Sequence, residues 1–239
     1  MPKQRLDVAL TERGLVPTRS QAESWIKLGR VQVAGKVMTK PGFGVSEDMK
    51  LTLDAPEQYV SRAGLKLASV AKTLDVDFRG KTVLDVGSST GGFTDYALQH
   101  GAKKVIAVDV GTDQLHPKLR KDSRINLREK TDIRDVRLAR KPDSVVIDVS
   151  FISLREILPS LAEHNMSPTT EVIAMLKPQF EAGRDQINRG VIKNDTVRRA
   201  ILKDFELWAK QRFVILNKAD SAVAGGKGNQ ERFYLLKKR

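Results

Sequence analysis

From Thr82 onward, short and strongly apolar runs alternate with stretches of helical periodicity, and this alternation constrains the fold most. TVLDVG, KVIAVDV, SVVIDVS and EVIAML are nearly all apolar and rich in β-branched residues, the pattern of strands covered on both faces. Strands are expected near 82–87, 104–109, 125–128, 144–149 and 171–176, with later ones near 213–217 and 232–237. Helices are expected near 92–100, 153–163 and 195–211. Parallel strands need crossover connections that helices supply, so the expected class is α/β with a mostly parallel seven-stranded sheet. The last two strands, close in sequence, are expected to pair antiparallel at the sheet edge.

The first 55 residues break this pattern and read as a small α+β unit. Leu6, Val8, Ala9 and Leu10 form an apolar patch on a short helix that stops near Gly14. Thr18 or Ser20 is a candidate cap for a second helix, in which Ala22, Trp25, Ile26 and Leu28 recur until Gly29. VQVAGKVM alternates around an Ala-Gly-Lys turn as a hairpin, and MKLTLDA follows as a final strand after Pro41, Gly42 and Gly44. Pro56 ends that strand, and YVSRAGLKLASVAKTL then reads as an amphipathic helix bridging to the larger unit. The predicted division is 1–58 and 59–239.

Charge narrows the possible partners. The net charge of +13 points to a polyanion, either nucleic acid or an acidic membrane surface. Residues 1–46 alone carry eight Lys or Arg against three acids. Arg19, Lys27, Arg30 and Lys36 fall on the second helix and the hairpin; spacing alone leaves open whether they form a binding face or a solvated one. The chain has no cysteine, which excludes disulfides, Cys-ligated zinc and thiolate nucleophiles, including the cysteine attack used by one class of base methylation. MPKQRLDVALTERG has no apolar h-region and no stretch approaches a membrane span, so a cytoplasmic protein is expected.

The first strand of the larger unit runs into Gly87-Ser88-Ser89-Thr90-Gly91-Gly92 and then a helix beginning at Phe93. A glycine-rich turn at this point is where doubly wound folds hold a nucleotide-like ligand. The dinucleotide pattern G-x-G-x-x-G fails at its middle glycine, which is Ser89, and that glycine is what lets backbone approach a pyrophosphate. S-adenosylmethionine has no phosphate, and the loop suits its methionine part. Asp85, on the strand before the loop, is counted with the loop residues. Asp109 ends the second strand, 22 residues after Gly87, where a carboxylate accepts from ribose hydroxyls, and Val110 follows it. Asp132, with Ile133, is a candidate for the adenine amino group, although TDIRD also reads as a plain polar turn.

Four further ionisable residues stand in apolar contexts. Asp148 ends the fourth strand in VVIDVSFIS, where no Pro-Pro follows, which disfavours amine methylation. Lys177 ends the fifth strand in AMLKPQFE; a snorkelling lysine at a strand end is the alternative. Lys66 sits among the apolar positions of the bridging helix, and Glu231 follows GGKGNQ immediately before the last strand.

These blocks carry a resemblance. RLD, the two helices with TRSQAESWIKLGRVQVAGK, and the hairpin are similar to the S4 RNA-binding domain, matching at Arg19, Ala22, Ile26, Gly29, Val31, Val33 and Gly35. That resemblance implies RNA contacts at Arg5, Arg19, Lys27, Arg30 and Lys36. From Tyr59 onward the chain resembles the FtsJ-like ribose 2′-O-methyltransferases, a Rossmann-like group whose Lys-Asp-Lys-Glu tetrad matches Lys66, Asp148, Lys177 and Glu231. SRAGLKL, DVGSSTGGFTD, DVSFISL, LKPQFE and GKGNQE together resemble the hemolysin A (TlyA) family of bacterial rRNA methyltransferases. SAVAGGKGN departs from that pattern by lacking a proline after its serine.

The resemblance implies methylation of a cytidine ribose in ribosomal RNA, with S-adenosylmethionine as cofactor, no metal, and a monomeric enzyme working on ribosomal subunits. A ribose hydroxyl attacks only as its proton leaves, and a lysine accepts that proton only if burial or a nearby cation lowers its pKa. Lys177 is the expected base, with Lys66 beside it and Asp148 and Glu231 orienting the amines. Lys/Arg-rich stretches such as 118–140 are candidates for phosphate contact. Three rival readings remain open to the sequence: a membrane-active hemolysin, an RNA-binding assembly factor with an inactive methyltransferase fold, and a pseudouridine synthase using Asp7.

Overall fold

The computed structural model describes residues 3–16, 18–54, 59–183, 190–192, 194–225 and 228–239. The N-terminal unit comprises β1 (Gln4–Arg5), α1 (Leu6–Glu12), α2 (Arg19–Lys27), β2 (Val31–Val33), β3 (Lys36–Met38), β4 (Gly44–Val45) and β5 (Leu51–Leu53). Leu6, Ala9 and Leu10 of α1 meet Ala22 and Ile26 of α2, all without solvent exposure. The Thr18 hydroxyl caps α2 by accepting from the Gln21 amide at 3.2 Å, which leaves one of the four unpaired first-turn amides satisfied.

The hairpin turn is tighter than the sequence reading placed it. It contains only Ala34 and Gly35, both at positive φ (48° and 78°), and Lys36 already pairs with Val33 in β3. Two residues at positive φ match the twist of the flanking strands, which a longer turn would not need. β5 joins the other edge of β2, giving a three-stranded sheet in the order β3-β2-β5. The β1–β4 pair was not anticipated; at two residues per strand it leaves no alternating pattern to detect. Pro56 and the 58/59 division lie outside the described residues.

The larger unit begins with α3 (Arg62–Leu74) and continues through β6 (Thr82–Val86), α4 (Gly92–Gln99), β7 (Lys104–Val108), α5 (Pro117–Arg120), β8 (Ile125–Arg128) and a 3-10 turn (Ile133–Asp135). It then runs through β9 (Ser144–Ile147), α6 (Leu154–His164), β10 (Glu171–Leu176), α7 (Pro178–Glu181), α8 (Asp195–Ala209), β11 (Phe213–Asp220) and β12 (Arg232–Lys238). The seven strands order as β11-β12-β10-β9-β6-β7-β8. All pairs are parallel except those of β12, which runs antiparallel between β10 and β11. The α/β expectation and the antiparallel end of the sheet therefore hold. β11 is longer than expected because a bulge between Ile215 and Asn217 lets the strand continue to Asp220.

Both faces of the sheet are covered. Leu154, Ile157, Leu158 and Leu161 of α6 pack with Leu202 and Phe205 of α8 on one side. On the other, Leu65, Leu67, Val70 and Leu74 of α3 pack with Phe93 and Ala97 of α4, and this core continues into the N-terminal unit. β6 lies at the centre, with β7 and β8 to one side and β9 and β10 to the other. The crevice beyond the C-terminal ends of β6, β7 and β9 is the switch point where open α/β sheets bind ligands.

Candidate functional site

At that switch point lies a cavity of about 360 Å³, lined among others by Gly87, Ser89, Asp109, Val110, Asp132, Ile133 and Asp148. The loop after β6 is pinned from below, where the amides of Gly87 and Ser88 both donate to the Val108 carbonyl at 2.9 and 3.2 Å. Asp109 Oδ2 accepts from the Ser89 amide and Oδ1 from the Gly111 amide, each at 2.7 Å. Two backbone bonds fix that carboxylate at the cavity wall, and each oxygen retains a lone pair for a hydroxyl. Ser89 adopts φ +45°, so the chain takes a left-handed turn here even without the glycine of the dinucleotide pattern.

Six of the expected loop contacts are absent from the cavity lining, and five of them are buried behind it. Asp85 is fully buried below the loop and accepts from the Thr94 hydroxyl at 2.6 Å. Burial, together with the charges of Asp148 and Asp109, raises its carboxyl to about 7, against the Thr94 hydrogen bond. Ser88 and Phe93 are buried, and Thr90 is exposed but outside the cavity lining. Gly91 starts α4 at φ +92°, where a side chain would strike Leu119 and Leu115, and Gly92 packs against Ser61 and Ala63. These residues shape the loop through packing. Asp132 lines the cavity, but its carboxylate is gripped by Arg134 through a 2.6 Å bond, which holds it below the usual carboxylate range.

Strand ends, α3 and the last loop bring the four remaining residues together as two ion pairs. Lys177 Nζ lies 2.7 Å from Asp148 Oδ1 and donates to Ser150 Oγ at 2.7 Å. Lys66 Nζ lies 2.6 Å from Glu231 Oε2, and both residues are buried. Burial pushes the Glu231 carboxyl above its ordinary value; Lys66 and then Lys177 oppose the rise, and Asp148 adds to it. All four groups thus sit in one electrostatic neighbourhood. Asp148 belongs to both the cavity and this cluster.

The supports of Glu231 come from distant parts of the chain. Ser221 donates its amide to the Glu231 carbonyl at 3.0 Å, Gly225 bonds Asn229, and Asn229 Oδ1 accepts from the Ile192 amide. Arg198 of α8 donates to the Gln230 carbonyl at 3.1 Å. In SAVAGGKGN the Ser221 hydroxyl accepts from the Val223 amide and donates to its carbonyl, which fixes the start of the loop.

Several residues of the site escaped sequence reasoning. Gln114 accepts from the Ser89 hydroxyl at 3.0 Å, and Thr131, Ser150, Phe151 and Ile152 line the cavity. Phe151 is 91% exposed at φ +66° and packs on Phe180 at 5.2 Å. Strained backbone of this kind clusters at binding and catalytic sites. Glu181, buried in LKPQFE, accepts from the Leu154 amide at 2.7 Å and the Ser153 hydroxyl at 2.6 Å. It therefore locks the loop after β9 to the turn after β10. In the N-terminal unit, Arg5, Arg19, Lys27, Arg30 and Lys36 are all exposed. Arg5 and Arg19 converge on Asp7, whereas Arg30 pairs with Asp54 at 3.4 Å.

Comparison with known proteins matches both units. The S4 domain model covers residues 4–51, and the FtsJ-like methyltransferase model covers residues 59–239. YqxC of Bacillus subtilis is 43% identical over 236 residues, covering 96% of this chain and 84% of its own. The 16S/23S rRNA (cytidine-2′-O)-methyltransferase TlyA of Mycobacterium tuberculosis is 38% identical over 201 residues, 82% of this chain and 75% of its own. A solved structure of a hemolysin-named protein from Streptococcus thermophilus is 39% identical, with a TM-score of 0.72 over 100% of this chain and 89% of that one. A methyltransferase sheet, a ligand cavity at its switch point and two family models in tandem converge on one assignment: this chain belongs to the FtsJ-like methyltransferase family and carries an S4 domain in front.

Proposed function

We propose that the protein transfers a methyl group from S-adenosylmethionine to a ribose 2′-hydroxyl of ribosomal RNA, a cytidine ribose by analogy with the named relative. The observation that carries this reading is Asp148, which lines the ligand cavity with its residue and holds Lys177 Nζ at 2.7 Å. The cavity fits the cofactor by its donor set: the Asp109 carboxylate for a diol, apolar Val110, Ile133 and Ile152 for a ring, and a glycine loop for the amino-acid end. S-adenosylmethionine, when bound, supplies a methyl group on a positively charged sulfur.

The chain's own residues then handle the hydroxyl. Lys177, paired to a cavity residue, is the base, whereas Lys66 pairs with Glu231, which is not among the cavity lining. The lysine lone pair would take the hydroxyl proton, leaving the ribose oxygen able to accept the methyl group, whose bonding electrons would stay with the cofactor sulfur. Asp148 and Ser150 orient the Lys177 amine, while Lys66 is held apart from it in its own pair with Glu231. Glu231, which burial biases toward protonation, balances Lys66.

The S4 unit, residues 1–58 in this proposal, holds the RNA, and residues 59–239 carry the reaction. RNA offers the 2′-hydroxyl that DNA lacks. The protein is proposed to act as a cytoplasmic monomer. Among the described residues no helix is long and apolar enough to cross a membrane, and neither the hemolysin nor the inactive-fold reading gains support from the site. The deciding experiment is methylation of ribosomal subunits from a strain lacking the modification, followed by nucleotide mapping. Methyl groups on bases rather than riboses would overturn the reading.

A further inference from the structure

Asp7, considered above only as a pseudouridine-synthase nucleophile, has a different position in the structure. Its side chain has no solvent exposure, yet both its partners are half exposed, Arg5 at 50% and Arg19 at 55%. Oδ1 accepts from Arg5 Nε at 3.0 Å and the Val8 amide at 3.1 Å. Oδ2 accepts from Arg5 Nη2 at 2.9 Å and Arg19 Nε at 2.8 Å. Four donors fill the carboxylate's lone pairs, so no reactive oxygen remains for nucleophilic chemistry.

We propose that Asp7 is a positioning residue that assembles Arg5 and Arg19 into a two-guanidinium fork for one backbone phosphate of the RNA. The proposal rests on the RNA-binding reading of the S4 unit given above. Two cations brought together from separate segments repel, and one buried carboxylate between them cancels that repulsion from below. Arg5 Nη1 and both Nη groups of Arg19 are left without hydrogen bonds among the described residues. The nearest further acid, Glu23, lies 3.9 Å from Arg19 Nε. Planar guanidiniums already fixed in place lose little freedom on binding, and their paired N–H groups match phosphate oxygens.

The test is filter binding of the full-length protein to purified unmodified ribosomal RNA across a salt series. Asp7→Asn raises the net charge from +13 to +14, so attraction by overall charge alone makes binding equal or tighter. The fork instead expects binding about three- to tenfold weaker, with a salt slope flatter by about one phosphate contact. KM for RNA should rise by the same factor while kcat at saturating RNA stays at the wild-type value. The double variant Arg5→Lys, Arg19→Lys keeps all charge, loses the fork, and should show the same loss. Thermal unfolding and S-adenosylmethionine affinity check folding; if the Asn variant fails them, the lysine pair decides. Wild-type affinity and slope in the decisive variant overturn the proposal. A wild-type protein that does not bind RNA overturns the RNA reading itself, a separate result.

Discussion

The backbone carbonyl oxygen of Asp148 lies 2.7 Å from the point where a β-carbon on Gly87 would stand. The loop after β6 and the Lys177–Asp148 pair are therefore in close backbone contact, with no side chain between them. Gly87 also sits at φ +78°, which costs an L-residue about 1–3 kcal/mol. Gly87→Ala should lower stability by at least that amount and push Asp148 away from Lys177. Calorimetry is expected to show weakened S-adenosylmethionine binding, and methyl transfer should fall further than binding does.

The Lys66–Glu231 pair is buried, so removing one partner leaves the other uncompensated. Lys66→Ala should destabilise by about 3–5 kcal/mol. Adding Glu231→Gln to that variant should recover part of the loss, because the orphaned carboxyl is then neutral. Urea unfolding of the two single variants and the double measures the coupling; strictly additive effects would rule out the pairing.

Asp85 makes stability depend on pH in an unusual direction. Its folded pKa of about 7 exceeds the ordinary 3.8, so the native state holds a proton that the unfolded state releases. Stability from this group is complete below about pH 3.8 and is lost as pH rises through about 7. Asp85→Asn should remove that slope. The difference between wild-type and variant unfolding free energies, measured across this window, is expected to widen in favour of the variant as pH rises.

Glu181 joins the loop bearing Asp148 to the turn following Lys177. Glu181→Ala strips the Leu154 amide and the Ser153 hydroxyl of their acceptor, at about 1–3 kcal/mol. Rapid-quench assays should show a slower methyl-transfer step with S-adenosylmethionine affinity nearly unchanged, since Glu181 does not line the cavity. An unaltered transfer rate would show that the two loops hold position without it.

Periodicity made the central strands legible because β6, β7, β9 and β10 are buried on both faces and their composition says so, whereas the edge strands β8 and β11 are largely half-buried or exposed. The Lys-Asp-Lys-Glu set was legible only as a resemblance. Lys66 and Glu231 are 165 positions apart, and nothing local to either reveals the 2.6 Å contact that the fold creates. Phe151 could not be found from spacing: a positive φ is normally signalled by Gly or Asn, and a phenylalanine in DVSFIS gives no such sign. Asp85, by contrast, looked like a ligand contact because it adjoins the glycine loop. Strand alternation turns it inward, under Thr94. β1 and β4 span two residues each, and α5 and α7 are single helical turns of four residues, too short to show a helical repeat.

The shared core of the two units has a consequence for how a target is chosen. Buried residues run without interruption from Leu6 and Ile26 through Tyr59 to Leu65 and Phe93, and the Gln21 side chain donates to the Tyr59 carbonyl at 2.9 Å. An RNA handle mounted this way works as a set square rather than a tether. If Arg5 and Arg19 hold a phosphate as proposed, its offset from the target ribose would be set by this shared core, and a nucleotide would qualify by where it stands in a folded RNA. A linear oligonucleotide of the same sequence, which presents no such fixed offset, would be measured and rejected.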